Sequence, residues 1–206
     1  MKFYAILPAV LQGTLWWFLM KPFFSFFGQL KVVVYEKVKL LDAPVILAPN
    51  HSHSLDAVLL PLAFPLWSKF SPLFYVARPA QLYTGWRKVA FSLQDLKFIG
   101  SYPLIPNKKD YGVALEKHVN LLREGNTLCI FPEGGTTKDG TIRDAHGGVT
   151  YLATVTKRPI VPVHVSGTFQ LTFKNFIKRK NKLTISFLDP ILPEELSKQL
   201  SEKHND

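Results

Sequence analysis

Seven short apolar runs, rich in β-branched and aromatic residues and separated by polar or helix-like sequence, constrain this chain more than any other feature. They are "LKVVVYEKVKLL" (30–41), "APVILAPN" (43–50), "SPLFYVAR" (71–78), "SYPLIP" (101–106), "NTLCIFPEG" (126–134), "RPIVPVHVSG" (158–167) and "NKLTISFLDPI" (181–191). Runs of this length bounded by Gly, Pro, Asn and Asp form strands. Between them, "LDAVLLPLAF" (55–64), residues 80–97, 109–123 and 147–156, and the tail after Pro193 read as helices. Ser54 stands where a side chain caps the first of these. Strand and helix in alternation dictate an α/β fold: a mixed, largely parallel central sheet flanked by helices. At 206 residues, with no repeat, linker or low-complexity tract, one core suffices, and residues 31–206 are expected to form one domain.

The first 30 residues differ from the rest. From Phe3 to Met20 there is no charged residue, and after Lys21 and Pro22 a second apolar stretch follows, "FFSFFGQL". A bilayer span needs about 20 apolar residues, and Pro8, Gln12 and Gly13 dilute this one. Lys21 and Pro22 predict a break, giving a membrane-associated helical hairpin over residues 1–30 that dips into one leaflet, with Trp16 and Trp17 at headgroup level. A signal peptide is disfavoured, because no small-residue cleavage site follows the apolar region.

Charge and aromatic content narrow the partners. With 25 Lys and Arg against 15 Asp and Glu, the net charge of +10 favours nucleic acid, anionic headgroups or phosphorylated substrates. The 16 Phe and 4 Trp suit a membrane surface better than a base-stacking module. There is no nucleic-acid recognition motif, and the basic residues cluster only in "KNFIKRKNK" (174–182), a solvated or headgroup-facing loop. We therefore expect an anionic membrane lipid and no nucleic acid as partner. Cys129 is the only cysteine, which excludes an internal disulfide and suits the cytosolic face of a membrane. Its apolar run makes it an inert core thiol.

"NHSHSLD" (50–56) carries the chemistry. It follows the apolar run "VILAP", and loops beyond the carboxyl ends of strands are where open α/β sheets build their sites. His51, His53 and Asp56 resemble the start of the H-x-H-x-D-H ligand set of metallo-β-lactamase-type hydrolases, but the carboxylate comes one residue late and Ala57 follows it. Both departures damage a geometry that depends on ligand count and direction. Proton transfer fits better. Asp56, five residues on across a strand-to-helix turn and in the first helical turn, can point back at the His51 ring, hold one imidazole nitrogen and leave the other as a base. No G-x-S-x-G elbow supplies a serine nucleophile, so the nucleophile is expected to be a hydroxyl of the substrate. A metal-dependent hydrolase and a non-catalytic basic lipid-binding protein remain as alternatives.

A second constellation is "CIFPEGGTTKDG" (129–140), a strand end carrying Pro132, Glu133 and two glycines that let backbone N–H groups approach a ligand. "NHSHSLD", then "FPEGG" about 75 residues later, then "GGVTYLATVTKRPIVPVHVSGT" together resemble the glycerolipid acyltransferases of the lysophosphatidic acid acyltransferase type, over residues 30–190. The resemblance implies that His51 is a general base partnered by Asp56. It also implies that Phe131, Pro132, Glu133, Gly134, Gly135 and Thr136 bind an acceptor lysophospholipid in phospholipid biosynthesis. The acyl donor would be acyl-CoA or acyl carrier protein, with no metal and no further cofactor. Two departures stand out. Gly135, Thr136 and Thr137 replace the Thr-Arg-Ser that many members carry, and "GSYPLIPNKKD" offers Lys108 and Lys109 where an arginine is usual. Lysine lacks the bidentate fork of arginine. Lys138 and Arg143 are candidates to replace the missing phosphate clamp.

Overall fold

The computed structural model describes residues 2–65, 67–79, 99–105 and 110–202. Its centre is a seven-stranded sheet of order β1-β7-β6-β2-β5-β3-β4. The strands are β1 Lys31–Val34, β2 Ile46–Pro49, β3 Leu73–Ala77, β4 Ser101–Pro103, β5 Thr127–Cys129, β6 Ile160–Ser166 and β7 Thr184–Phe187. Every neighbouring pair is parallel except β6 with β7. Each strand lies inside one of the seven expected runs, and the mixed, largely parallel sheet is the expected one. Alternation across the sheet divides the core into two layers. Leu47, Val161, Val163 and Ile185 face one way, while Ile46, Leu128 and Ile160 face the other.

Helices cover both faces. α2 is Glu36–Leu40, α3 is Asp56–Leu59 continuing as a tighter turn through Leu60–Ala63, and α4 and α5 are Tyr111–Ala114 and Glu116–Arg123. α6 is Gly148–Thr156, α7 Phe173–Ile177 and α8 Pro193–Glu202. Two local expectations are corrected. The run 30–41 is a strand followed by a helix, because Glu36 to Leu40 bury Val38 alone and a single buried position leaves no helical period to read. Ser54 does not cap α3, whose first turn carries no side-chain cap. The helix expected at 80–97 lies outside the described residues.

The N-terminal segment also departs from expectation. It is one continuous helix, α1, over Phe3–Phe27, rather than a hairpin. Its middle, Leu11–Met20, is π-helical, and the Lys21 N–H bonds back to the Trp16 carbonyl five residues earlier. That wider turn moves the preceding carbonyls out of the α-helical position where the Pro22 ring would strike one, so the chain passes the proline without turning. At 1.5 Å per residue α1 is roughly 37 Å long, and it is fastened to the domain along that length. Lys2 pairs with Glu124 at 2.5 Å. The Gln12 amide bonds Leu73 O (2.9 Å), Ile99 O (3.1 Å) and, through its oxygen, Leu73 N (2.7 Å). The Trp16 and Trp17 indoles donate to Val58 O (3.0 Å) and Phe64 O (2.8 Å). Phe24 and Phe27 pack on Phe176. The outer face leaves Phe3, Ile6, Leu7, Val10, Phe18, Leu19 and Phe26 exposed.

Candidate active site

β2 and β5 are parallel neighbours at the sheet centre, with Ile46 opposite Leu128 and Leu47 opposite Cys129. Their carboxyl ends therefore release two loops side by side, one beginning at Asn50 and the other at Phe131. Asn50 fixes the first loop to β6. Its side chain donates to Val165 O at 3.0 Å and accepts from Val165 N at 2.7 Å. The chain then turns through His51 to His53 and enters α3 at Asp56.

Asp56 is fully buried and His51 is 17% exposed at its side chain. His51 Nδ1 lies 3.0 Å from Asp56 Oδ2. The same oxygen accepts the backbone N–H groups of Ser52 (2.7 Å) and His53 (2.8 Å). Three donors on one oxygen hold the carboxylate in place, and a carboxylate can only accept. Nδ1 therefore carries its proton toward Asp56, leaving Nε2 as the free lone pair. The ring lies over Phe131, with centroids 4.0 Å apart and planes at 25°. Asp56 Oδ1 is buried without a hydrogen-bond partner among the described residues. Cys129 lies close enough that burial first, and the Asp56 charge second, raise its thiol well above the usual range, so it stays a neutral core thiol. α3 is braced from two sides, because the Tyr75 hydroxyl donates to Ala57 O at 2.9 Å and Trp16 bonds Val58 O.

Glu133 joins the two loops. It is 3% exposed, and Oε1 accepts the His51 backbone N–H at 2.7 Å while Oε2 accepts the Arg143 N–H at 3.1 Å. The Thr137 N–H returns to His51 O at 2.8 Å, so the backbone of His51 is clasped on both sides by the second loop. Gly134 has φ +65°, and a Cβ there would stand 3.0 Å from the His146 ring, so both the left-handed turn and the close approach require glycine. A Cβ on Gly135 would be 3.9 Å from an Arg143 guanidinium nitrogen. Beyond Thr137, Asp139 accepts from the Thr141 hydroxyl and N–H and from the Thr137 hydroxyl, which lowers its carboxyl to about 2.

The structure thus gathers His51, Asp56, Phe131, Pro132, Glu133, Gly134, Gly135 and Arg143 in one place. Thr136 is exposed at the loop tip. Lys108 and Lys109 lie outside the described residues. The ring of His53 turns inward on its own loop, with Nδ1 accepting the Leu55 N–H at 3.2 Å, so the nitrogens of "HSH" do not converge on a metal position. His146, which the sequence motifs do not single out, also belongs to this site. Its N–H bonds Pro132 O at 2.9 Å and its ring closes on Gly134. The available signal was a histidine following the glycine-rich loop within a charged stretch.

Comparison with known proteins identifies the family and the fold. A family model described as Acyltransferase matches residues 30–166. A probable 1-acyl-sn-glycerol-3-phosphate acyltransferase of Mycoplasma pneumoniae is 28% identical over 145 residues, covering 70% of this chain and 53% of the relative. The 1-acyl-sn-glycerol-3-phosphate acyltransferase of Saccharomyces cerevisiae is 30% identical over 178 residues, 82% of this chain and 54% of the relative. The chain spans about half the length of these curated relatives. In fold, the crystal structure of the 1-acyl-sn-glycerophosphate (LPA) acyltransferase PlsC from Thermotoga maritima is similar, with a TM-score of 0.56 at 23% identity over 89% of this chain and 74% of that one. The family model spans both motif loops and six of the seven strands in full, and on that match this chain belongs to the Acyltransferase family.

Proposed function

We propose that this protein transfers a fatty acyl group from an acyl thioester, acyl-CoA or acyl carrier protein, to a free hydroxyl of a lysophospholipid. The relatives named for action on 1-acyl-sn-glycerol-3-phosphate support the substrate class. The observation that carries the mechanism is the 3.0 Å contact between His51 Nδ1 and Asp56 Oδ2. His51 Nε2 takes the proton of the acceptor hydroxyl as its oxygen attacks the thioester carbonyl. When the tetrahedral adduct collapses the C–S bond breaks, and the imidazolium returns the proton to the departing thiolate. Asp56 keeps Nδ1 protonated and stabilises the imidazolium. Glu133 is a positioning residue, its carboxylate being taken up by two backbone N–H groups. Arg143 is exposed beside Gly135 with no ion-pair partner among the described residues. It supplies the acceptor-phosphate charge in place of the motif arginine, and Gly134, Gly135 and Thr136 line the approach.

In this reading residues 1–30 meet the membrane on its cytosolic face and residues 31–206 carry out transfer. α1 is long and apolar enough to cross a bilayer by length and composition. Its bonds from Lys2, Gln12, Trp16 and Trp17 to the domain support an in-plane orientation instead, with the exposed apolar face in the leaflet. The test of the mechanism is acyl transfer by detergent-solubilised protein and its His51→Ala variant, with acyl-CoA and acyl carrier protein as donors and a panel of acceptors with and without phosphate. Turnover should fall by about 10² to 10⁴ with the fold unchanged. Near-normal rates in the variant would overturn the assignment of His51.

A further inference from the structure

Acidic residues avoid one part of this molecule. No Asp or Glu occurs in residues 1–35 or 145–188, although these segments hold ten Lys and Arg. Five of the ten, Lys174, Lys178, Arg179, Lys180 and Lys182, lie on α7 and the turn after it. All five are exposed, and among the described residues none is ion-paired. A solvated face ordinarily intersperses both signs.

α7 adjoins the end of α1. The Phe176 ring is buried against Phe23, Phe24 and Phe27, and the Arg179 guanidinium stands 4.7 Å over Phe26, a member of the exposed apolar face. The turn is well formed. Arg179 N bonds Phe176 O at 2.9 Å, Lys180 N bonds Asn175 O at 3.0 Å, and Gln29 donates to Arg179 O at 2.8 Å. In this helix-ending pattern the left-handed position is usually Gly or Asn, yet Arg179 occupies it at φ 57°. Phe173 stays 76% exposed among the lysines, with Ile177 also exposed. Basic side chains interleaved with exposed aromatic and aliphatic ones are what a headgroup zone accommodates.

Resting on the membrane reading of α1, we propose that α7 and residues 178–182 form a docking site for the headgroups of an anionic bilayer, at the level where the α1 face enters the leaflet. Apolar burial along α1 supplies binding to any bilayer, and the basic turn supplies preference for negative lipid. The site also sets orientation, because the attraction acts at one end of α1.

The experiment is partition of full-length protein onto phosphatidylcholine vesicles with and without phosphatidylglycerol, comparing wild type with a Lys174→Gln, Lys178→Gln, Lys180→Gln variant. Each basic side chain near an anionic surface is worth roughly fivefold in partition, so the triple variant should bind anionic vesicles about a hundredfold more weakly. Its binding to neutral vesicles and its transfer rate in detergent micelles should be unchanged, and added salt should shrink the difference. Equal binding of wild type and variant to anionic vesicles would overturn the α7 site while leaving the membrane role of α1 in place. Failure of the wild type to bind either vesicle would overturn both. If the variant lost only affinity for a DNA oligonucleotide while keeping its anionic-vesicle binding, the turn would be a nucleic-acid surface, and the proposal would fall.

Discussion

The two loops around His51 and the surface made by α1 and α7 follow opposite rules. Around His51 nearly every polar atom is assigned: three donors meet Asp56 Oδ2, two backbone N–H groups meet Glu133, and Thr137 closes on the His51 carbonyl. Along α1 and α7 apolar side chains are left in the open, and the cations of α7 and the turn after it carry no ion pair among the described residues. Buried polar groups are costly unless satisfied, so the first region fixes a geometry. An exposed apolar face is costly in water and favourable in lipid, so on the proposed membrane reading the second would fix a location. On the proposed function, catalysis and placement would thus rest on separate interactions, and substitutions should separate them.

After loss of His51, the largest effect is expected at Glu133. Glu133→Gln turns one acceptor into an amide donor facing a backbone N–H. Leaving such a group unpaired costs about 1–3 kcal/mol of stability. The loosened His51 loop should lower turnover about a hundredfold with little change in KM, measured by acyl-transfer kinetics beside a thermal melt. Arg143→Ala should raise KM for a phosphate-bearing acceptor roughly tenfold while leaving kcat and phosphate-free acceptors alone, since a charge-assisted contact at an exposed site is modest. An equal rise for both acceptors would remove Arg143 from phosphate recognition.

Gln12→Leu acts on the other region. It leaves Leu73 N–H and the Leu73 and Ile99 carbonyls without their side-chain partner, at a cost of about 1–3 kcal/mol. This should appear as a lower Tm with KM unchanged. The smallest effect belongs to His118, which is fully buried, donates from Nε2 to Tyr102 O at 3.0 Å, and is held below the usual histidine range chiefly by burial. The unfolded chain takes up this proton more readily than the folded one. Its contribution is therefore intact above the unfolded-state pKa near 6.5 and lost as pH falls through the lower folded value, at no more than about 1.4 kcal/mol per pH unit. His118→Asn should flatten that part of the stability profile, measured by urea unfolding across the range.

The strands were readable because β-branched runs bounded by turn residues state their own length, as in "PVILAPN". The dyad was readable because His51 and Asp56 are five residues apart, close enough for one turn to bring them together. Glu133 was readable as a site residue but not as the tie between His51 and Arg143, since those contacts span 82 and 10 positions and depend on β2 lying beside β5. Gln12 looked like a dilution of an apolar helix. A single amide in a charge-free run is equally a sign of a buried polar contact, and here it meets the first residue of β3. Pro22 suggested a turn because α-helical geometry was assumed, and the π-helical stretch before it removes the steric reason to bend.

The indoles of Trp16 and Trp17 bond carbonyls near the two ends of the helical segment that starts at Asp56. On the proposed membrane reading, these two bonds would act as a depth gauge. In that reading the exposed apolar side of α1 could not rise or sink in a leaflet without taking the Asp56 segment along, so His51 would keep a set height relative to the bilayer. Acceptors would then be sorted by how far below the headgroup plane their hydroxyl lies as well as by their chemistry, and the same lipid dispersed as a monomer would lose that advantage.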